Sequence, residues 1–251
     1  TKLRPFHVCR FKPGLYVPYD VYKEEILSRS PYVSVYYDVV TNREIDALTN
    51  FVKGTMYRGL VGIGKNATTA FIRTSDLSWV YDEDMDLATK MSERVKVITG
   101  LEVDQNLPDG PSSAEAFQVV NYGLGGHYDV HMDTFDRPPE DVLLNRSGER
   151  IATFLVYLSD VEKGGNTVFV KSHISVAPQK GMALFWYNFD PAMKVDPMTS
   201  HAGCPVLVGH KWIANKWIWT YGNTFRRRCG LTPNATQLDV EHLMYDPHIG
   251  K

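Results

Sequence analysis

The sequence predicts a mainly β-sheet domain with helices near its N-terminus, and three observations carry that expectation. From Ala116 onward, eight short β-rich runs alternate with Gly, Pro, Asn and Asp turns: Phe117–Tyr122, Tyr128–Met132, Ile151–Ser159, Thr167–Val170, Ile174–Ala177, Met182–Trp186, Pro205–Val208 and Trp212–Thr220. Short strands with turns between them belong to sandwiches and barrels. No long helical pattern interrupts the runs, which disfavours a doubly wound parallel sheet. Helical periodicity is confined to two stretches upstream.

Taken in order, the first 30 residues are rich in Pro and Tyr, lack clear periodicity and read as an extended lead-in. Pro31 to Val40 alternates loosely and predicts one strand. Thr41-Asn42-Arg43-Glu44 is a capping box; Ile45, Leu48, Phe51 and Val52 follow at helical spacing, and Gly54 ends the helix. Val61 to Asn66 reads as a hairpin turn. A second helix is expected from about Asp84 to Thr99, with Leu87, Met91, Val95 and Ile98 on its apolar face and Gly100 as its stop. Leu107 to Ser113 is a loop. Arg137 to Arg150 is a polar insertion between two strands, a lid or surface loop. The expected organisation is a lead-in over 1–30, one domain over 31–231 with its β-core at about 116–222, and a tail over 232–251.

Composition excludes several classes. A chain of 251 residues buries a sizeable core without metal or disulfide staples. Twenty-seven basic residues against 29 acidic ones give a net charge of -2, without the basic excess that nucleic-acid binding requires. The run Arg226-Arg227-Arg228 is too short to change that. No apolar stretch approaches the roughly 20 residues of a membrane helix. Three sequons, at Asn66, Asn145 and Asn234, favour a secretory-pathway chain and are candidate glycosylation sites. Three cysteines, Cys9, Cys204 and Cys229, leave at least one unpaired within the chain.

The chemistry centres on His131-Met132-Asp133. On a strand, residues i and i+2 point to the same face, so both side chains can turn toward one ion. A second imidazole completes the two-His, one-carboxylate triad of non-haem Fe(II) oxygenases, and His201 is the best candidate. His127 shares the parity of His131 and Asp133 and competes with them, although it follows Gly125-Gly126. His173 and His210 read as turn residues. Lys211 has two readings: a solvated lysine, or an ammonium anchoring the distal carboxylate of a dicarboxylic cosubstrate. Tyr122 and Thr153 are candidate hydroxyl partners for that carboxylate.

Longer blocks carry a family resemblance. They are Gln118 to Asp133 (QVVNYGLGGHYDVHMD), Glu149 to Gly165 (ERIATFLVYLSDVEKGG), Lys180 to Asn188 (KGMALFWYN) and His201 to Trp212 (HAGCPVLVGHKW), then Asn215-Lys216-Trp217 and Phe225 to Cys229 (FRRRC). Together they closely resemble the α subunit of animal collagen prolyl 4-hydroxylases, which are Fe(II)- and 2-oxoglutarate-dependent dioxygenases. A weaker likeness extends back to about Tyr32.

The resemblance implies a double-stranded β-helix, or jelly-roll, core. It implies iron held by His131, Asp133 and His201, with Lys211 on the C5 carboxylate of 2-oxoglutarate. Tyr122 and Thr153 would be its hydroxyl partners, and Trp217 would line the same pocket. Tyr128 would face a peptidyl proline, and Arg150 or Arg137 would help hold the peptide. The implied reaction is C4 hydroxylation of proline in collagen-type sequences, coupled to decarboxylation of 2-oxoglutarate to succinate and CO2, with ascorbate as a further cofactor. The implied setting is the endoplasmic reticulum lumen, in an α2β2 tetramer with protein disulfide isomerase, this chain being a catalytic-domain fragment. It also implies a Cys204–Cys229 disulfide, with the partner of Cys9 upstream of Thr1. The sequence departs from the family pattern in the Thr134–Gly148 loop, and at Asn166 within Gly164-Gly165-Asn166-Thr167.

Rival readings stay open at this level. Lysyl hydroxylases resemble the chain in the triad but place Arg where Lys211 stands. A non-catalytic jelly-roll binding or assembly module would show a broken triad.

Overall fold

The structure, a computed structural model, describes residues 8–14, 20–59, 72–105, 111–135, 147–227, 229–230, 232 and 235–244. The expected turn at 61–66, the sequon residues Asn66, Asn145 and Asn234, Arg137 and most of the polar insertion lie outside the described residues.

The strands, in chain order, are β1 (Val8–Pro13), β2 (Val21–Arg29), β3 (Tyr32–Tyr37), β4 (Tyr57–Arg58), β5 (Asp76–Val80), β6 (Phe117–Tyr122), β7 (Tyr128–His131), β8 (Arg150–Tyr157), β9 (Lys163–Gly164), β10 (Thr167–Phe169), β11 (Ile174–Val176), β12 (Ala183–Tyr187), β13 (His201–Gly203), β14 (Val206–Val208) and β15 (Lys211–Trp219). Among the described residues, nine of them form one antiparallel sheet in the order β1-β2-β3-β12-β8-β15-β6-β5-β4, and four form a second, β11-β10-β13-β7. The strand β14 pairs with β9 as a separate ribbon. All eight expected β runs contain a strand.

The two faces of the large sheet bury different things. One packs Val119, Phe154, Phe185, Ala214 and Ile218 against the helices; the other packs Val120, Leu155, Leu184 and Ile213 toward the small sheet. This is a double-stranded β-helix core with helices on its outer face.

Helix α1 (Asn42–Val52) starts at the expected box: the Glu44 N–H donates to Thr41 Oγ1, and the Thr41 N–H donates back to Glu44 Oε2 at 2.7 Å. Helix α2 (Asp86–Thr99) begins two residues later than expected, because Asp84 closes a turn instead, its carboxylate accepting the Tyr81 N–H. Gly100 stops α2 at φ 74°, a left-handed position that a side chain would strain, and its N–H returns to the Lys96 carbonyl. Arg94 joins the helices through Glu44 at 2.8 Å.

The lead-in differs from expectation. Its residues form β1 and β2, which pair with each other and, through β2, with β3. Charged side chains at inward positions hide the alternation: Glu24 and Lys12 are both buried. The Glu24 carboxylate accepts from the hydroxyls of Tyr32 and Tyr36 and from Arg10, with the Lys12 ammonium 3.9 Å away. Paired buried charges of this kind are costly to break singly.

The tail contributes a helix, α3 (Gln237–Met244). The buried Arg227 stacks on Tyr187 at 3.9 Å, donates to the Phe189 carbonyl at 2.7 Å and to Gln237 Oε1 at 3.2 Å, and so ties α3 to the end of β12. No described helix is long and apolar enough to cross a membrane.

Candidate metal and cosubstrate site

Strand alternation builds the site. On β15, Lys211, Ile213, Asn215 and Trp217 all face one pocket between the two sheets. Opposite them in register stand Tyr122 (to Lys211) and Gln118 (to Asn215) on β6, and Thr153 (to Trp217) on β8. The small sheet closes the pocket with His131, Thr167 and His201.

His131 on β7 lies directly opposite His201 on β13, and Asp133 follows two residues after His131. The donor atoms of the three side chains lie within 4.8 Å of one another, the one such His/Cys/Asp/Glu group among the described residues. Each imidazole has its Nδ1 engaged by a backbone carbonyl, His131 by Asp129 at 2.8 Å and His201 by Thr199 at 2.9 Å. Nδ1 therefore carries the proton, and Nε2 presents a lone pair inward. The Nε2 atoms stand 3.7 and 3.8 Å from the Asp133 carboxylate oxygens, too far for hydrogen bonds and spaced for an ion between them. Burial, reinforced by His201, pushes the His131 pKa down to about 3 against the pull of Asp133, so the ring is neutral at physiological pH. Burial would raise Asp133, but His201, His131, Arg150 and Thr153 outweigh it and hold the carboxyl below its usual range. Two imidazoles and one carboxylate are the donor set of an Fe(II) site with open positions, and they fit that metal.

Lys211 is buried, and among the described residues its ammonium's one hydrogen bond is to Thr167 Oγ1, at 3.3 Å. No carboxylate pairs with it among the described residues; the rings of Tyr122 and Tyr157 lie 5.6 and 5.8 Å away. Burial pulls its pKa down to about 8. An unneutralised ammonium at the end of a pocket is a seat for an anion. Thr167 sharpens this: its oxygen accepts from Tyr157 at 2.8 Å as well as from Lys211, leaving its own proton free for an incoming oxygen.

Two expectations are corrected. Thr153 does not serve Lys211: its hydroxyl donates to Asp133 Oδ2 at 2.6 Å, and Thr167 is the hydroxyl beside Lys211. Cys204 and Cys229 are free thiols and form no disulfide in the structure. Their backbones are tied to different segments, Cys204 to the Asn166 carbonyl and the neighbouring Gly230 to the Pro191 carbonyl.

The other named residues stand around the triad. Tyr128 stacks on His131 with ring centroids 3.7 Å apart. Arg150 is gripped by Glu115, with 2.9 Å between its Nη2 and Oε2, and lies 3.9 Å over the ring of Trp217. The buried Trp217 indole N–H has no hydrogen-bond partner among the described residues. His127 bonds the Gly125 carbonyl and stands outside the triad; His173 is a turn residue at φ 55°. Sequence reasoning missed Thr167, Glu115 and the buried pair of Arg73 and Gln118, joined at 2.8 Å in the pocket wall. The polar Thr opening a β run was the one signal for Thr167.

Known proteins are similar to this chain. A family profile described as the 2OG-Fe(II) oxygenase superfamily matches residues 117–219. Prolyl 4-hydroxylase subunit alpha-3 of Homo sapiens is 37% identical over 231 residues, which are 88% of this chain and 41% of that protein. Prolyl 4-hydroxylase subunit alpha-2 of Gallus gallus is 42% identical over 229 residues, 89% of this chain and 41% of that protein. Among solved structures, the 2OG complex of a viral collagen prolyl hydroxylase from Paramecium Bursaria Chlorella virus-1 matches with a TM-score of 0.57 at 26% identity, covering 74% of this chain and 95% of that one. The chain thus spans about two fifths of the length of these curated relatives. It belongs to the 2OG-Fe(II) oxygenase superfamily, in the branch formed by catalytic domains of animal-type collagen prolyl 4-hydroxylase α subunits.

Proposed function

We propose that this domain hydroxylates C4 of peptidyl proline in collagen-type sequences, with 2-oxoglutarate decarboxylated to succinate and CO2. The observation that carries the reading is one pocket holding both a His131–Asp133–His201 donor set and the unpaired buried ammonium of Lys211. Bound iron and 2-oxoglutarate supply the oxidising chemistry. The chain's own residues do the placing. His131, Asp133 and His201 would hold the metal. Lys211 and the Thr167 hydroxyl take the C5 carboxylate, with Tyr122 beside them, and fix the cosubstrate's orientation. Tyr128 and Trp217, with the Arg150–Glu115 pair, shape the mouth where the peptide enters. Trp217 is equipped for that, having an indole N–H to give. Ascorbate would supply the reducing equivalents that keep such a metal ferrous. The whole protein is read as working in the endoplasmic reticulum lumen with protein disulfide isomerase as its partner subunit.

The test is single turnover. The protein is loaded anaerobically with Fe(II) and 2-oxoglutarate, then given oxygen and a (Pro-Pro-Gly)n peptide. The expected product carries one added oxygen on the proline preceding Gly, matched by succinate. Succinate formed without peptide oxidation would refute the prolyl substrate, and no succinate from metal-loaded protein would refute the oxygenase reading.

A further inference from the structure

Behind the metal ligands runs a chain of buried hydrogen bonds with a fixed direction. Trp186 on β12 has its ring against His201, with centroids 4.8 Å apart, and donates its indole N–H to Asn188 Oδ1 at 2.9 Å. An indole nitrogen only donates, so the Asn188 amide is forced to present its NH2 group the other way. That NH2 group donates to Thr153 Oγ1 at 3.3 Å and to the Arg150 carbonyl at 3.1 Å. An amide NH2 also only donates, so Thr153 accepts from it and its single proton goes onward to Asp133 Oδ2, 2.6 Å away. Trp186, Asn188 and Thr153 are all almost fully buried, which shields the chain from competing water. The Asn188 backbone is fixed as well, between the Ile151 carbonyl and the Asp196 N–H.

We propose that Asn188 is a positioning residue for the metal site: it sets the direction of the Thr153 hydroxyl, which holds the Asp133 carboxylate with Oδ2 engaged and Oδ1 toward His131. The relay begins at the ring packed on one ligand and ends on the carboxylate of another, so it couples the placement of His201 and Asp133. The inference rests on the reading of the triad as a metal site, and it adds to that reading a residue that touches no ligand atom directly. Outer hydrogen bonds to metal ligands typically govern affinity by about 10- to 100-fold.

The experiment is Co(II) binding to the unmodified chain and its variants by calorimetry and by the visible spectrum, with the melting temperature of the metal-free protein measured alongside. Thr153→Val is expected to weaken Co(II) binding by about tenfold or more, and Thr153→Ser, which keeps the hydroxyl, to restore it to within about threefold of the parent. Asn188→Leu is expected to weaken binding too. Because Asn188 acts through Thr153, the double variant should bind no worse than Thr153→Val alone, whereas unrelated structural damage would add. Parental affinity in Thr153→Val or in Asn188→Leu, or full additivity of two nonzero effects in the double variant, overturns the proposal. If Asn188→Leu does not fold, the Val and Ser variants decide it. Asp133→Ala separates the two layers: if it binds Co(II) as well as the parent, or the parent binds none, the metal reading itself fails.

Discussion

Lys211 and Lys216 sit on the same strand, on opposite faces, and the fold treats them in opposite ways. Lys216 points toward the helices and is fully buried. Its ammonium lies 2.8 Å from Ser92 Oγ on α2, 3.6 Å from Asp82 and 4.6 Å from the Phe117 ring centre. Asp82 is itself anchored by Ser92 at 2.7 Å and by Gln105 at 3.1 Å. Lys211 points into the pocket and, among the described residues, bonds a single hydroxyl. Burial pulls both down to about 8. One buried lysine is thus neutralised by the protein and the other is left for something that arrives. A charge that stays unpaired in a folded core costs stability, and its retention marks a binding role.

The largest expected effect is on stability. Lys216→Met leaves the partly buried Asp82 beside an apolar chain and should cost about 3 kcal/mol in chemical denaturation, the low end for breaking a buried charge pair. Lys211→Met removes an unpaired charge, so its denaturation midpoint should stay level or rise. Its apparent 2-oxoglutarate affinity should fall about 100-fold, the range for truncating one partner of a buried charge pair. Equal destabilisation by both substitutions would erase the contrast and make Lys211 a structural residue.

The second effect is on pH dependence. The unliganded Lys211 loses its proton near pH 8, whereas a carboxylate binds the ammonium. Affinity for 2-oxoglutarate should therefore be level below about pH 8 and fall about tenfold per unit above it, a limb absent from Lys211→Met. Stability runs the other way. The folded value lies below the ordinary 10.5, so the unfolded chain binds more protons between about 8 and 10.5. The cost of each buried lysine is present below that window and is relieved as pH rises through it. Calorimetric titration of 2-oxoglutarate across pH 7–10 checks the first limb, and urea midpoints over the same range check the second.

How far the sequence reveals this depends on how many residues carry each signal. The β runs were legible because their alternation and turns repeat, and the His131–Asp133 pair because two ligands share one strand. His201 comes from a three-residue strand with no periodicity of its own, so the residues alone made it the best candidate for the second imidazole and the wider resemblance made it a ligand. Thr167 was hidden because a threonine opening a β run is ordinary, and its role appears only once Lys211 and Tyr157 converge on it. Thr153 was legible as a pocket hydroxyl but not in its direction, which the donor-only Trp186 and the amide of Asn188 set from another strand. The hairpin of β1 and β2 was illegible because Glu24 and Lys12 occupy inward positions, where a periodicity argument looks for apolar side chains.

The smallest effect separates the two lysines by their hydroxyl partners. Ser92→Ala removes a group bonded to both Lys216 and Asp82, and loss of a hydrogen bond to a charged group should cost about 1.5–3 kcal/mol. Thr167 needs a different treatment, because changing it alone would strand the buried Tyr157 hydroxyl. Replacing both at once, Thr167→Val with Tyr157→Phe, removes donor and acceptor together, which is close to neutral for stability. The same double change deprives the C5 carboxylate of the Thr167 proton and should raise the 2-oxoglutarate requirement by about tenfold, the worth of one such bond. If instead the double variant lost as much stability as Ser92→Ala and kept its 2-oxoglutarate requirement, the surroundings of Lys211 would be as structural as those of Lys216, and the anion would have to be held elsewhere.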